Sequence, residues 1–176
     1  MIHYVKNISI NENIPRDLEE IVFGAGCFWG VEKKFWNLSG VFVTSVGYSG
    51  GDKDNPTYED VCYKDTGHVE VVKIIYDPKV ISLNEMLKIF WECHDPTQGM
   101  RQGNDIGTQY RSVIFCTNED DIKRANDSKE KFQKVLSKNK YNGITTEISL
   151  IKNYFLAEEY HQQYLAKNPN GYCGLG

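Results

Sequence analysis

The sequence predicts an α+β fold: a ferredoxin-like split β-α-β two-layer sandwich with additional C-terminal helices and a mobile glycine-rich tail. Two observations carry this. Through residue 116 the apolar pattern switches between periods of two and of three to four, in the order β-α-β-β-α-β. The link between the second and third strands holds only one short turn, too little for the crossover helix of a doubly wound parallel sheet.

Residues 1–19 read as a polar lead-in ending near Ile14-Pro15. The first strand is expected at about 20–24 and the first helix at about 27–38, where Phe28, Val31, Phe35 and Trp36 recur at helical spacing and Ser39-Gly40 stops the run. Val41 to Tyr48 is β-branched and aromatic, hence a strand. After a glycine-rich loop, Thr57 can cap a short turn carrying Tyr58 and Val61. His68 to Tyr76 is the third strand, closed by Asp77-Pro78. Ser82 to Glu85 forms a capping box, and Leu83, Met86, Leu87 and Phe90 give the apolar stripe of a second helix.

From His94 to Gln109 there is no periodicity, and so long a stretch inside a compact domain is usually functional. Tyr110 to Cys116 is the fourth strand. Asn118 caps a helix whose Ala125, Phe132, Val135 and Leu136 should face inward. A further strand is expected at 145–150, then a short helix over 157–167 with Tyr160 and Tyr164 stacked one turn apart. Residues 168–176 should be a mobile tail.

The 176 residues suffice for one domain with a full core, and no repeat or linker divides them. The net charge of −4 and the lack of a basic stripe argue against nucleic acid as a partner. The first twenty residues lack the apolar run of a signal peptide, and no later stretch is long enough to span a membrane. The five cysteines (27, 62, 93, 116, 173) have no disulfide-scaffold rhythm, so a reducing, cytoplasmic setting is expected, with any disulfide transient.

The chemistry gathers at Gly24-Ala25-Gly26-Cys27-Phe28-Trp29-Gly30. Cys27 stands where a strand gives way to a helix, and unpaired N–H groups there favour a thiolate nucleophile of lowered pKa. Glu70 shares a strand face with His68, Val72 and Ile74. A carboxyl group among apolar neighbours is either neutral, and so able to act as a general acid, or salt-bridged to a residue such as Lys73 or Lys88. Cys173, between glycines near the chain end, is a mobile thiol suited to attack an oxidised partner, or else part of a functionless frayed tail. Tyr58, Tyr110 and Asp105 lie in or beside the loops expected around Cys27.

These blocks together resemble a known family. Gly26 to Gly30, Gly47-Tyr48-Ser49-Gly50-Gly51, Asn55-Pro56-Thr57-Tyr58, Thr66-Gly67-His68-Val69-Glu70, His94 to Gly99, Gly103 to Tyr110, His161-Gln162-Gln163-Tyr164 and Gly171-Tyr172-Cys173-Gly174 look like the A-type peptide methionine sulfoxide reductases, in one order from residue 24 onward. The resemblance implies reduction of the S epimer of methionine sulfoxide, free or in proteins, as repair of oxidative damage. It implies attack on the sulfoxide sulfur by Cys27, with Glu70 supplying a proton and Tyr58 and Tyr110 bonding the oxygen. Phe28 and Trp29 would hold the methyl group and Asp105 the backbone side of the substrate. Cys27 would become a sulfenic acid, Cys173 would condense with it to a disulfide, and thioredoxin would reduce that disulfide. No cofactor or metal is implied, and a monomer is expected. Many relatives carry a second tail cysteine; none follows Cys173 up to Gly176, so relay to a second tail thiol is not expected, and Cys62, Cys93 and Cys116 are expected to be structural.

Other classes fit less well. A cysteine hydrolase would pair Cys27 with His68, His94 or His161, which show no family spacing for it. The glycines miss the dinucleotide-loop spacing, no C-x-x-C supports zinc, and a redox sensor would form the disulfide without releasing methionine.

Overall fold

The computed structural model describes residues 1–175. Its elements run β1 (Glu19–Ala25), α1 (Phe28–Phe35), β2 (Val41–Ser49), α2 (Tyr58–Tyr63), β3 (Val69–Tyr76), α3 (Leu83–Cys93), β4 (Arg101–Gln102), β5 (Asp105–Ile106), β6 (Ser112–Cys116), α4 (Glu119–Lys138), β7 (Glu147–Leu150), β8 (Phe155–Leu156) and α5 (Tyr164–Lys167). Six strands form one sheet in the order β7-β6-β1-β3-β2-β8, and β4 and β5 form a separate small hairpin. β1, β2, β3, β6 and β8 pair antiparallel, but β7 runs parallel to β6. The sheet is therefore mixed, not wholly antiparallel. The 20-residue α4 between β6 and β7 supplies the crossover that a parallel pair needs.

One face of the sheet carries the main core. Ile21 and Phe23 of β1, Val72 and Ile74 of β3, and Ile114 of β6 pack against Val31 and Phe35 of α1, Met86, Leu87 and Phe90 of α3, and Ala125 of α4. Phe23 stacks on Phe90 with ring centroids 4.8 Å apart. Each Val, Ile, Leu, Met or Phe among them contributes about 1.5–3 kcal/mol on burial.

The other face is also covered. Ile8, Ile10, Ile14 and Leu18 pack with Val43 and Ile75, while Ile151 and Tyr154 pack on Val22, Val69, Val71, Val113 and Phe115. Residues 1–19 are thus more than a polar lead-in: sparse isoleucines at non-periodic spacing close the second face, and His3 is wholly buried.

Helix starts follow the capping chemistry. Thr57 and Ser82 each complete a reciprocal capping box with Asp60 and Glu85, and Asn118 accepts the Asp121 N–H at 2.9 Å. Helix ends differ more. α1 stops at Phe35, three residues before the expected end. Val135 of α4 is exposed on the outer flank rather than facing inward. The stretch expected to be a helix over 157–167 is broken: Glu159–His161 is a 3-10 turn, Gln163 is left-handed at φ 48°, and only Tyr164–Lys167 is α-helical. Tyr160 and Tyr164 do not stack on each other. Tyr160 lies on His161 and Tyr164 on Trp29, tertiary contacts that override the local pattern.

The cap analysis yields a stability prediction. Ser82→Ala removes the acceptor for the Glu85 N–H, so the urea midpoint should fall by an amount equivalent to about 1 kcal/mol. An unchanged midpoint would mean that α3 is held by its packed face alone.

Candidate active site

β1 delivers the chain to Gly26, whose φ of 97° belongs to the left-handed region that favours glycine. A Cβ there would come 2.9 Å from the Gln102 side chain. The tight approach brings the 95–110 loop onto the strand-helix junction. Gln102 in turn bonds both the N–H and the C=O of Asp95, and Gln98 accepts the Gly103 N–H and donates to Asp95. The stretch without periodicity is thus knitted by side chains to backbone and includes the β4–β5 hairpin.

Cys27 is the N-cap residue of α1 and is 8% exposed. Its thiol differs from the sequence-based expectation. Burial, then the Glu70 carboxyl, push it up to about 12, against the backbone N–H groups of Trp29 and Gly30 that pull it down. The helix terminus stabilises a thiolate as anticipated, but desolvation outweighs it.

Glu70 is 2% exposed on β3 and accepts the Phe28 N–H at 3.2 Å. Burial lifts its carboxyl to about 8, the Phe28 bond opposing that shift. Neither Lys73 nor Lys88 pairs with it; Lys73 bridges to Glu20 at 3.6 Å. A neutral carboxylic acid thus sits beside the first backbone N–H after the candidate nucleophile.

The two tyrosines share this neighbourhood. Tyr58 opens α2 and its phenol is raised by burial and by the adjacent Cys62 thiol, then by Glu70 and Cys27. Tyr110, at the end of a 3-10 turn, is raised by burial, then by Glu70, Cys62, Asp105 and Tyr58. Cys62, expected to be merely structural, is half-buried and lies against the site through Tyr58. Cys116 is buried in the core, and Cys93 donates to the Phe90 carbonyl.

Phe28 is buried, its ring 5.1 Å from His161 and 5.8 Å from Tyr48. Trp29 is half-buried, stacks on Tyr164 at 3.7 Å, and donates its indole N–H to His161 Nδ1 at 3.0 Å. That bond places the His161 proton on Nε2, which has no hydrogen-bond partner among the described residues. Burial holds the ring down to about 4, so it is neutral. Glu158 accepts the Tyr48 hydroxyl and the Tyr58 N–H, tying α2 to the aromatic cluster. Sequence reasoning quoted His161 within a motif but gave it no role here, and missed Glu158; no spacing signal singles out either.

The tail is docked along the described residues. Tyr172 donates its hydroxyl to Asp105 at 3.2 Å, and Leu175 packs against the main core. A Cβ on Gly30 would lie 2.9 Å from Cys173 Sγ. Gly30 stands three residues after Cys27, on the same side of the first turn of α1, so the tail thiol rests on the helix that Cys27 caps.

The histidines weighed as bases for a hydrolase are engaged elsewhere: His68 with Gly51 and Lys53, His94 with Phe90 and Ser112, His161 with Trp29. Among the described residues no group of three or more His, Cys, Asp or Glu side chains could hold a metal ion, and no helix is long and apolar enough to cross a membrane.

Comparison with known proteins places this arrangement. The profile of the family described as peptide methionine sulfoxide reductase matches residues 19–176. The chain is 56% identical over 174 residues to the peptide methionine sulfoxide reductase MsrA of Rippkaea orientalis, covering 99% of this chain and 80% of that one. Its fold matches methionine sulfoxide reductase A of Corynebacterium diphtheriae with a TM-score of 0.92 at 43% identity, covering 97% and 83% of the two chains. It also matches Mxr1 of Saccharomyces cerevisiae in complex with Trx2, with a TM-score of 0.60 at 30% identity over 87% and 91%.

Glu70 generates a pH prediction. Its folded pKa of about 8 lies above the usual 4.5, so the folded state resists charging it. Stability from the neutral form is fully present below pH 4.5 and is lost as pH rises through about 8. Glu70→Gln keeps an acceptor for the Phe28 N–H and cannot ionise. Its melting temperature should match wild type at pH 4 and exceed it increasingly up to pH 8. A constant difference across that range would show that Glu70 is not held neutral.

Proposed function

The chain belongs to the peptide methionine sulfoxide reductase family and is an oxidoreductase of that activity; on that premise we propose that it reduces the S epimer of methionine sulfoxide, free or within proteins, through a Cys27 sulfenic acid and a Cys27–Cys173 disulfide recycled by thioredoxin. The observation that carries the mechanism is the buried Glu70 carboxyl, held protonated up to about pH 8 and bonded to the N–H that follows Cys27.

A sulfoxide oxygen leaves poorly unless it is protonated. Glu70 gives its proton to that oxygen as the Cys27 sulfur attacks the sulfoxide sulfur, then takes up the proton that the thiol gives up, so its carboxyl group ends as it began; Tyr58 and Tyr110, both kept as phenols by burial, donate hydrogen bonds to the oxygen. The oxygen ends on Cys27 as sulfenic acid, and methionine leaves with the sulfur reduced by two electrons. A thiol with a raised pKa suits this order of events, because attack and proton delivery then occur together on a bound substrate rather than through a standing thiolate. In this reading the buried Phe28 and the half-buried Trp29 hold the methyl group, and Asp105 holds the backbone side of the methionine. Three separate anchors for methyl, oxygen and backbone select one epimer.

The Cys173 thiol then condenses with the sulfenic acid, releasing water and forming the disulfide. The contact of Cys173 with the Gly30 turn supports this partner over Cys93 and Cys116. The Trx2 complex of the yeast relative supports a thioredoxin as the reductant. The strand order β6-β1-β3-β2 supports a ferredoxin-like split β-α-β core. We further assign the chain a reducing, cytoplasmic setting, where its catalytic thiols stay reduced between turnovers.

The test separates chemistry from recycling. Without reductant, Cys173→Ser should release about one methionine per enzyme and stall as sulfenic acid, while wild type should form a Cys27–Cys173 crosslink. Cys27→Ser should release none from either epimer. Consumption of both epimers by wild type would remove the three-anchor pocket, and a Cys27–Cys62 crosslink would move the resolving role to α2.

A further inference from the structure

Glu32 is a wholly buried carboxyl group on α1 that the proposed chemistry does not use. Its oxygens collect three donors: Thr44 Oγ1 at 2.8 Å and Gln163 Nε2 at 2.7 Å on Oε1, and the Gln163 backbone N–H at 2.9 Å on Oε2. His3 completes the cluster. Its Nδ1 accepts the Val5 and Lys6 N–H groups, so its Nε2 carries the proton and donates to Thr44 at 2.9 Å. Gln163 Oε1 accepts the Tyr4 N–H at 2.8 Å. Every polar atom of the Gln163 amide is thus engaged, and all of its bonds cross between distant parts of the chain.

Gln163 itself is the unusual residue. It holds φ 48° and ψ 43°, the left-handed conformation that non-glycine residues adopt only when their surroundings over-determine it. It also divides the two supports of Trp29. On its N-terminal side His161 accepts the indole N–H; on its C-terminal side Tyr164 stacks on the indole face. A change in the Gln163 backbone would swing these two residues apart.

We propose that Glu32 is a positioning residue for the methyl pocket: its carboxyl group fixes Gln163 in the left-handed conformation and thereby sets His161 and Tyr164 against the edge and face of Trp29. The inference rests on the reading in which Trp29 holds the substrate's methyl group. Glu32 touches no substrate and acts only through this clamp. A glutamine in its place has one oxygen and one amide, so it cannot accept from both the Gln163 N–H and the Gln163 Nε2 on separate oxygens, and at least one buried donor loses its partner.

The test uses the indole N–H resonances of the three tryptophans in the reduced, 15N-labelled protein, with Trp29→Phe assigning Trp29. In Glu32→Gln the Trp29 resonance should shift or broaden while Trp36 and Trp91 stay in place. KM for methionine sulfoxide should rise about tenfold, with the single-turnover rate at saturation within about twofold of wild type, the pattern of weakened binding without altered chemistry. A folded Glu32→Gln protein whose Trp29 resonance coincides with wild type overturns the proposal, as does a loss of rate at saturation with KM unchanged. If that variant does not fold, Gln163→Ala loses the side-chain bonds to Glu32 and Tyr4 while still disfavouring the left-handed backbone, and the same Trp29 shift is expected; its absence again overturns the clamp. The indole measurement needs no substrate, so a wild-type protein inactive on methionine sulfoxide would sink the functional reading while leaving the clamp to be judged on its own.

Discussion

The bond from the Phe28 N–H to Glu70 joins the two conditions on which the site depends. A carboxyl group placed inside an apolar sheet face must either find a partner or stay protonated. One backbone N–H is too weak a partner to keep it ionised, so the group remains an acid, yet that bond fixes it at the start of the helix that Cys27 caps. The same burial denies Cys27 an easy thiolate. The two groups are coupled by shared exclusion from water: a more solvated site would favour the ionised form of both. Burial thus holds both groups in their protonated forms, the thiol and the carboxylic acid side by side.

Much of this was readable from residues. The strand-glycine-cysteine-helix junction, the capping boxes at Thr57 and Ser82, and the burial of Glu70 by alternation on β3 are local consequences of sequence, and the structure carries them within a residue or two. What eluded the sequence is long-range. The parallel pairing of β7 depends on where α4 returns the chain. The break at Gln163 cannot be found by periodicity, because Tyr160 and Tyr164 keep helical spacing while answering to His161 and Trp29. The Cys27 thiol lies above the value its helix-start position implies, because helix-terminus chemistry is visible in a sequence and desolvation is not. The covering of the second face by Ile8, Ile10 and Ile14 was hidden by their polar surroundings.

The site is assembled from segments far apart in the chain. α1 supplies Cys27 and Trp29, β3 supplies Glu70, the 95–110 loop supplies Asp105 and Tyr110, the 158–164 segment supplies the supports of Trp29, and the tail supplies Cys173. Glycines make the junctions: Gly26 lets Gln102 approach the start of α1, and Gly30 leaves room for Cys173. A larger side chain at either position would push these surfaces apart.

The ends of the sheet have a consequence of a different kind. The interior strands β1 and β3 are almost continuously apolar and buried on both faces, the sort of segment that recruits other chains into cross-β stacks when left open. At the flanks lie β7, four residues long and polar at its first position, and β8, only two residues long, with two residues between it and the 3-10 segment. Edges this short give a passing extended peptide few backbone groups to pair with. Short edges of this kind guard the long apolar interior strands, leaving an extended peptide almost no template on which to aggregate.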